Sequence, residues 1–213
     1  MIQTNISFDD GSIYDLRTAD LLKRYNLNAV FFIPVNWQRY LLSKGIDPLT
    51  VDNLRDLASQ FEIGSHGVNH ELLTRSDNSK IDQEIFDSYE FWQKTGYKVT
   101  GFCYPRGYYN EDIKNKVKEA GYTWARTVKV CELLPPSDPF ETHTTVHIGL
   151  DRKEYGTDWL TFAKDKLEEA LERSAMGEEI HYNIFGHSEE IHRYQQWSRV
   201  EELLRLISET TSS

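Results

Sequence analysis

Cysteine is scarce: Cys103 and Cys131 are the only two in 213 residues, and they stand far apart. With no CxxC pair and no dense framework, a disulfide-stapled scaffold and a cysteine-built zinc module are both excluded. Basic residues are also in deficit, 24 Lys and Arg against 34 Asp and Glu for a formal charge of −10. That balance argues against wrapping a nucleic-acid backbone, which requires clustered cations to displace counterions. No apolar run approaches the roughly 20 residues needed to cross a bilayer. The opening MIQTNISFDDG has neither the basic nor the apolar region of a secretory leader. The expectation is therefore a reduced, cytoplasmic setting with no membrane partner. Ser/Gly-rich linkers and fixed-period repeats are missing too, so residues 1–213 are read as one domain.

What is present suits a globular core: 39% hydrophobic and 13% aromatic residues. Short apolar, β-rich runs alternate with helical patterns along the chain. Ile2–Phe8, Ala29–Ile33, Phe61–Ser65, Lys98–Tyr104, Tyr122–Val128, Thr144–Ile148 and Ile180–Phe185 read as strands. Between them, Tyr14–Tyr25, Leu49–Gln60, Ser79–Lys94, the stretch from Asn110 to Glu119, Trp159–Arg173 and Val200–Ser208 read as helices. Asn110 and Gly121 are suited to cap the fourth of these. Such alternation predicts an α/β fold, a parallel sheet covered by helices as a barrel or a doubly wound sheet. In that architecture chemistry collects at the C-terminal ends of strands.

Four segments follow strands directly and carry suitable side chains. Phe8-Asp9-Asp10-Gly11 presents two adjacent carboxylates that point apart, so one can hold a cation while the other handles protons; Gly11 permits the tight turn. Gly64-Ser65-His66-Gly67-Val68-Asn69-His70 spaces two imidazoles as on one face of a helical turn, within reach of one ion. Asp10, His66 and His70 then make a two-His, one-carboxylate set with open coordination positions. Such a set suits zinc, and also cobalt, nickel or iron. An ion with open positions lowers the pKa of a bound water from ~15.7 toward ~7. Asp9 is left free as general base. His143 and His147 repeat the same spacing, but no carboxylate pair lies near them in sequence, and the pair is read as structural.

The third segment, Phe102 to Asn110, holds Pro105 and Gly107 around Arg106, whose amide is a candidate oxyanion donor. The fourth, Ile184 to Glu190, places His187 at a strand end, where it can protonate a leaving amine. Aromatic residues Trp37, Tyr108, Tyr109 and Trp159 are candidates for stacking on sugar rings.

In order and placement these segments resemble the polysaccharide deacetylases with the NodB homology domain, carbohydrate esterase family 4, over nearly the whole chain from Phe8 to about Glu190. The resemblance implies a distorted (β/α) barrel of about seven parallel strands. It also implies metal-dependent N-deacetylation of amino-sugar polymers, with one divalent ion, usually zinc. Carried over by residue, it implies Asp9 as base, Asp10, His66 and His70 as metal ligands, and His187 as acid. Pro105 matches the proline of the third motif, so Arg106 falls where the oxyanion amide is supplied. Tyr104, Pro105, Tyr108 and Trp159 are the expected substrate contacts. The arginine that commonly opens the third motif is replaced here by Cys103. Arg126 and Arg106 are the two candidates to supply its charge, and Glu190 is a candidate to orient His187. The family's Asp-Trp element is matched by Asp158-Trp159.

The expected substrate is thus a carbohydrate or a small-molecule amide. Two other readings keep the same cleft: hydrolysis of a formamide, cyclic imide, ureide or modified small metabolite, and a non-catalytic glycan-binding relative.

Overall fold

The computed structural model describes residues 2–211. In chain order the elements are β1 (Ile2–Asp9), α1 (Asp15–Arg24), β2 (Val30–Ile33), α2 (Trp37–Leu42), α3 (Val51–Ala58), β3 (Glu62–Ser65), α4 (Asn78–Asp82) and α5 (Ser88–Thr95). They continue as β4 (Gly101–Cys103), α6 (Glu111–Ala120), β5 (Trp124–Arg126), β6 (Val146–His147), α7 (Trp159–Ala175), β7 (Ile180–Gly186), α8 (Ser188–Arg193) and α9 (Trp197–Thr211). The strands form one seven-stranded sheet in the order β5-β4-β3-β2-β1-β7-β6, with every pairing parallel.

This is a distorted (β/α) barrel, open between its edge strands β5 and β6. The intervening segment crosses the gap by irregular hydrogen bonds, Thr127 N–H to Thr142 O at 2.9 Å and Thr145 N–H to Asn183 O at 2.6 Å. Central β1 is zipped to β7 from Ile2↔Ile180 to Phe8↔Gly186 and to β2 from Ser7↔Val30 to Asp9↔Phe32. Phe8, Phe31, Phe32, Ile33, Ile184 and Phe185 are buried, as expected of strands covered on both faces. One hydrophobic cluster runs through the strands and the helices packed on them.

Strand alternation puts Asn5, Ser7 and Asp9 on one face of β1. That face is lined with polar groups: Asn5 Nδ2 donates to Asn183 Oδ1 at 2.7 Å, and Asp9 emerges at the C-terminal rim. The rim is where the four motif segments end.

Capping follows the sequence. The Asn110 side chain accepts from Ile113 N–H at 2.9 Å, and Gly121 ends α6 at φ 112°. Thr50 and Asn53 form a capping box at the start of α3, so this helix begins later than Leu49. Two short helices were not expected: α2, after Pro34, and α8, directly after His187. The Thr144–Ile148 run pairs as strand only over Val146–His147, because the backbone at Thr144 and Thr145 bonds to the 129–132 segment, Thr144 N–H to Lys129 O at 2.8 Å and Cys131 N–H to Thr145 O at 3.0 Å. The helix expected over Ser79–Lys94 forms as α4 and α5 joined by a π-helical turn, Gln83–Asp87.

Candidate active site

Asp9 ends β1 in extended conformation, and Asp10 then turns to φ 85°, its N–H donating to Phe32 O at 2.9 Å. This backbone reversal sends the two carboxylates in different directions.

Asp10 meets the imidazoles from the next motif. Its Oδ1 lies 3.9 Å from His66 Nε2 and 3.7 Å from His70 Nε2. The two rings sit 4.6 Å apart and nearly perpendicular. His66 Nδ1 hydrogen-bonds to Cys103 O at 2.8 Å, which fixes the tautomer with its Nε2 lone pair toward Asp10. His70 is stacked against Tyr40 at 4.5 Å. The expected helical turn is absent here. His66 and His70 converge through a loop in which Gly67 has φ 78° and His70 φ 58°.

Glu84, one of the residues that sequence reasoning missed, holds this loop. Its buried carboxylate accepts from Val68 N–H and Asn69 N–H, each at 2.9 Å, and from the Asn69 side chain at 3.0 Å. A Cβ on Gly67 would stand 2.6 Å from Glu84 Oε2, so only glycine lets the loop close over the carboxylate. Glu84 lies within the π-helical turn, a distortion that frequently marks functional positions.

The donor set fits a divalent ion. Asp10 Oδ1 is buried without a hydrogen-bond partner, which is costly unless something electropositive faces it. Burial pushes His66 below the usual histidine range despite Asp9 and Asp10. Burial, together with the His66, Lys44 and His187 charges, pushes His70 down to about 2. Both rings are therefore neutral, as ligation requires.

Beside this set, Asp9 is bound by Arg126. Arg126 Nη2 lies 2.5 Å from each Asp9 oxygen and 2.9 Å from Cys103 Sγ. Burial alone would raise the Asp9 carboxyl. The Arg126 guanidinium, with His66 and His187, holds it below the usual carboxylate range. Of the two arginines considered, Arg126 is the one against the carboxylate. Arg106 is exposed, with φ 59° in the turn between Pro105 and Gly107.

His187 faces the same space, its Nε2 3.9 Å from Asp9 Oδ2. Its Nδ1 lies 3.0 Å from Glu190 Oε2. Burial would lower His187, but the Glu190 bond and the Asp10 and Asp9 charges raise it to about 9.

Four residues are placed otherwise than expected, Tyr104, Trp159, His147 and Trp37. Tyr104 is fully buried, stacked on Tyr109, with its hydroxyl donating to Phe140 O at 3.1 Å, so it has no face to offer a substrate. Trp159 is likewise buried at the start of α7, its Nε1 bonded to Gln196 Oε1 at 3.0 Å. His147, read as structural with His143, belongs to the site. Its Nε2 lies 3.1 Å from Glu190 Oε2 and 3.4 Å from His187 Nδ1. His143 is elsewhere, near Thr127. Trp37 is core, its Nε1 donating to Leu49 O. Pro105 is buried in the loop, and Tyr108 is exposed. Asp158 caps α7 and pairs with Arg199.

The parallel barrel and the order of its rim motifs are those of the polysaccharide-deacetylase class. The sequence profile of the family described as polysaccharide deacetylase matches residues 3–125, more than half the chain, and the chain belongs to that family. A peptidoglycan-N-acetylglucosamine deacetylase from Bacillus cereus is 34% identical over 120 residues, covering 55% of this chain and 52% of that protein. The chain thus spans about half the length of this curated relative. Among solved structures, a Mycobacterium smegmatis protein assigned to the polysaccharide deacetylases superposes with a TM-score of 0.69 at 14% identity, over 97% of this chain and 84% of that one. The Xyl-CE4 domain of a multidomain xylanase, from the hindgut metagenome of Trinervitermes trinervoides, gives 0.58 at 16% identity, over 99% and 82%. At these identities the structural likeness establishes the fold. No helix among the described residues is long and apolar enough to cross a membrane.

Proposed function

We propose that this protein is a divalent-metal-dependent N-deacetylase acting on an amino sugar or its polymer. The observation that carries this reading is the convergence of Asp10, His66 and His70 beside an Arg126-bound Asp9, with His187 across the same space. Membership of the polysaccharide deacetylase family and the peptidoglycan-acting relative support the substrate class.

Asp10, His66 and His70 would hold the ion; the nitrogen-rich donor set favours zinc and also accepts cobalt or nickel. An ion there supplies Lewis acidity, making a water more acidic and polarising an acyl carbonyl. Asp9, kept ionised by Arg126, takes the proton of the attacking water. The Arg106 amide is the candidate donor toward the developing oxyanion. His187 arrives protonated and gives its Nε2 proton to the departing amine, while Glu190 holds the opposite ring nitrogen.

The test is acetate release from N-acetylated chito-oligosaccharides and from small N-acetyl sugars, before and after exhaustive chelation and zinc or cobalt return. Chelation should abolish release and the metal restore it. Asp9→Asn should lower turnover by about 10²–10⁴ with the fold intact. Release that survives complete chelation, or none from any N-acetyl sugar while another amide is cleaved, would overturn the proposal.

A further inference from the structure

The strand that reaches the rim beside β7 ends in His147, whose ring is stacked on Phe185 at 4.3 Å. Its backbone N–H donates to Tyr155 Oη at 2.6 Å, so the main chain that carries the ring is fixed as well. Its Nε2 meets the outer face of the acid site: Glu190 Oε2 at 3.1 Å and His187 Nδ1 at 3.4 Å, with the third edge, His187 Nδ1 to Glu190 Oε2, at 3.0 Å.

Two imidazole nitrogens and one carboxylate oxygen thus form a small triangle. As a hydrogen-bond arrangement it is crowded. Both rings must direct an N–H at the same oxygen, and their nitrogens then face one another across 3.4 Å with like polarity. As a ligand set the triangle has the right size. Tetrahedral zinc, with bonds of about 2.0–2.1 Å, separates its ligand atoms by about 3.3 Å. The observed edges of 3.0, 3.1 and 3.4 Å lie within a few tenths of an ångström of that separation. Access is open as well. The side chains of His187 and Glu190 are each 23% exposed, while His147, at 7%, closes the back. A water can complete the fourth position from the cleft.

We propose that His147, His187 and Glu190 form a second divalent-cation site, suited to zinc, whose occupation switches off the acid function of His187. It is separate from the set at Asp10, His66 and His70: it uses Nδ1 of His187, on the side of the ring away from Asp9. Zinc there displaces the Nδ1 proton that makes the ring an imidazolium and recruits the Glu190 carboxylate that stabilised it. What remains at Nε2 is the N–H of a neutral metal-bound imidazole, a weaker acid toward a leaving amine. The inhibition follows from the deacetylase reading; the binding itself does not depend on it.

The experiment is a zinc titration of the intact chain by calorimetry, repeated with cobalt and followed by visible absorption. The wild-type chain should bind two equivalents, the second more weakly. Glu190→Gln and His147→Asn should each bind one, and Asp10→Asn should lose the tighter one while keeping the other. In the acetate assay, wild-type turnover should fall as zinc passes the first equivalent, with inhibition weakened about tenfold or more in the two outer-site variants. Saturation of the wild type at one equivalent in millimolar zinc would overturn the site, and so would a second equivalent that survives in Glu190→Gln. Glu190 is on the cleft wall and its replacement is not expected to unfold the chain, which circular dichroism checks. A chain that binds two equivalents but releases no acetate would uphold the site and count against the deacetylase reading alone.

Discussion

Arg126, at the end of β5, closes on Asp9, at the end of β1, with one guanidinium nitrogen 2.5 Å from each carboxylate oxygen. The pair is fully enclosed, and the guanidinium also lies over the rings of Phe32 and Phe185. Breaking a buried pair on one side leaves an uncompensated charge and costs about 3–5 kcal/mol. Arg126→Gln should therefore lower the melting temperature clearly. It should also remove the group that holds Asp9 low, leaving burial to raise it. A base works as the carboxylate, above its pKa, so the acid limb of the kcat/KM profile should move to higher pH. Cys103 Sγ lies 2.9 Å from the same guanidinium. Cys103→Arg in an Arg126→Ala background should restore part of the lost activity, because a guanidinium from β4 would enter the same space.

Glu84 touches no candidate ligand side chain, yet it bonds the loop between His66 and His70. Glu84→Gln keeps the size but gives up the charge that gathers these N–H groups. Support of this kind is typically worth about 10–100-fold in metal affinity. The expected result is zinc binding weakened by that factor in a chelator competition, with turnover recovered by raised zinc when the outer site is removed by His147→Asn.

Much of this arrangement was readable in the sequence. β2 is buried at Phe31, Phe32 and Ile33 and appears as an unbroken apolar run, β1 and β7 show through their apolar residues flanked by turn signals, and Asp9 ends a strand while His66 and His187 follow strands directly. Other parts were hidden for physical reasons. The choice between Arg126 and Arg106 as the partner of Asp9 depends on β5 and β1 curling toward each other, a closure that residue spacing does not encode. Tyr104 and Trp159 are aromatic residues of the kind that line sugar sites, but burial decided their role, and burial is a property of the assembled barrel. His147 was masked by its pairing with His143, since one lies at the rim and the other near Thr127. Glu84 did leave a signal. Ile81, Ile85, Ser88 and Trp92 recur at three- and four-residue intervals and are buried, and a carboxylate at position 84 falls on that inward face.

Asp15 opens α1 just after the carboxylate motif and is buried. Burial, with Asp10 and Asp9 nearby, raises it to about 8 although Ser188 lies close. The folded state therefore keeps this proton where the unfolded chain, at the ordinary value of 3.8, has released it. Between those two values stability falls as pH rises, and above about 8 the loss is complete. Asp15→Asn is close in shape to the protonated acid. Thermal unfolding of the metal-free chain should show little difference from wild type near pH 4 and a higher melting temperature for the variant near pH 8. Equal differences at both pH values would mean that Asp15 is ionised in the folded protein.

Glu190 sets the acid. Its carboxylate accepts from His187 Nδ1 at 3.0 Å and is among the groups that raise His187 to about 9. An acid works in its protonated form, below its pKa, so the alkaline limb of kcat/KM marks where His187 loses its proton. A positive ion at Asp10, His66 and His70 lowers the absolute position of that limb, so the informative quantity is its displacement. Glu190→Gln removes one negative charge next to the imidazolium and should move the alkaline limb to lower pH by about one pH unit or more. The acid limb, governed by Asp9 and Arg126, should stay in place. Zinc must be held at one equivalent throughout. An alkaline limb that does not move in Glu190→Gln would separate His187 from the acid step and leave Asp9 as the group that also protonates the departing amine.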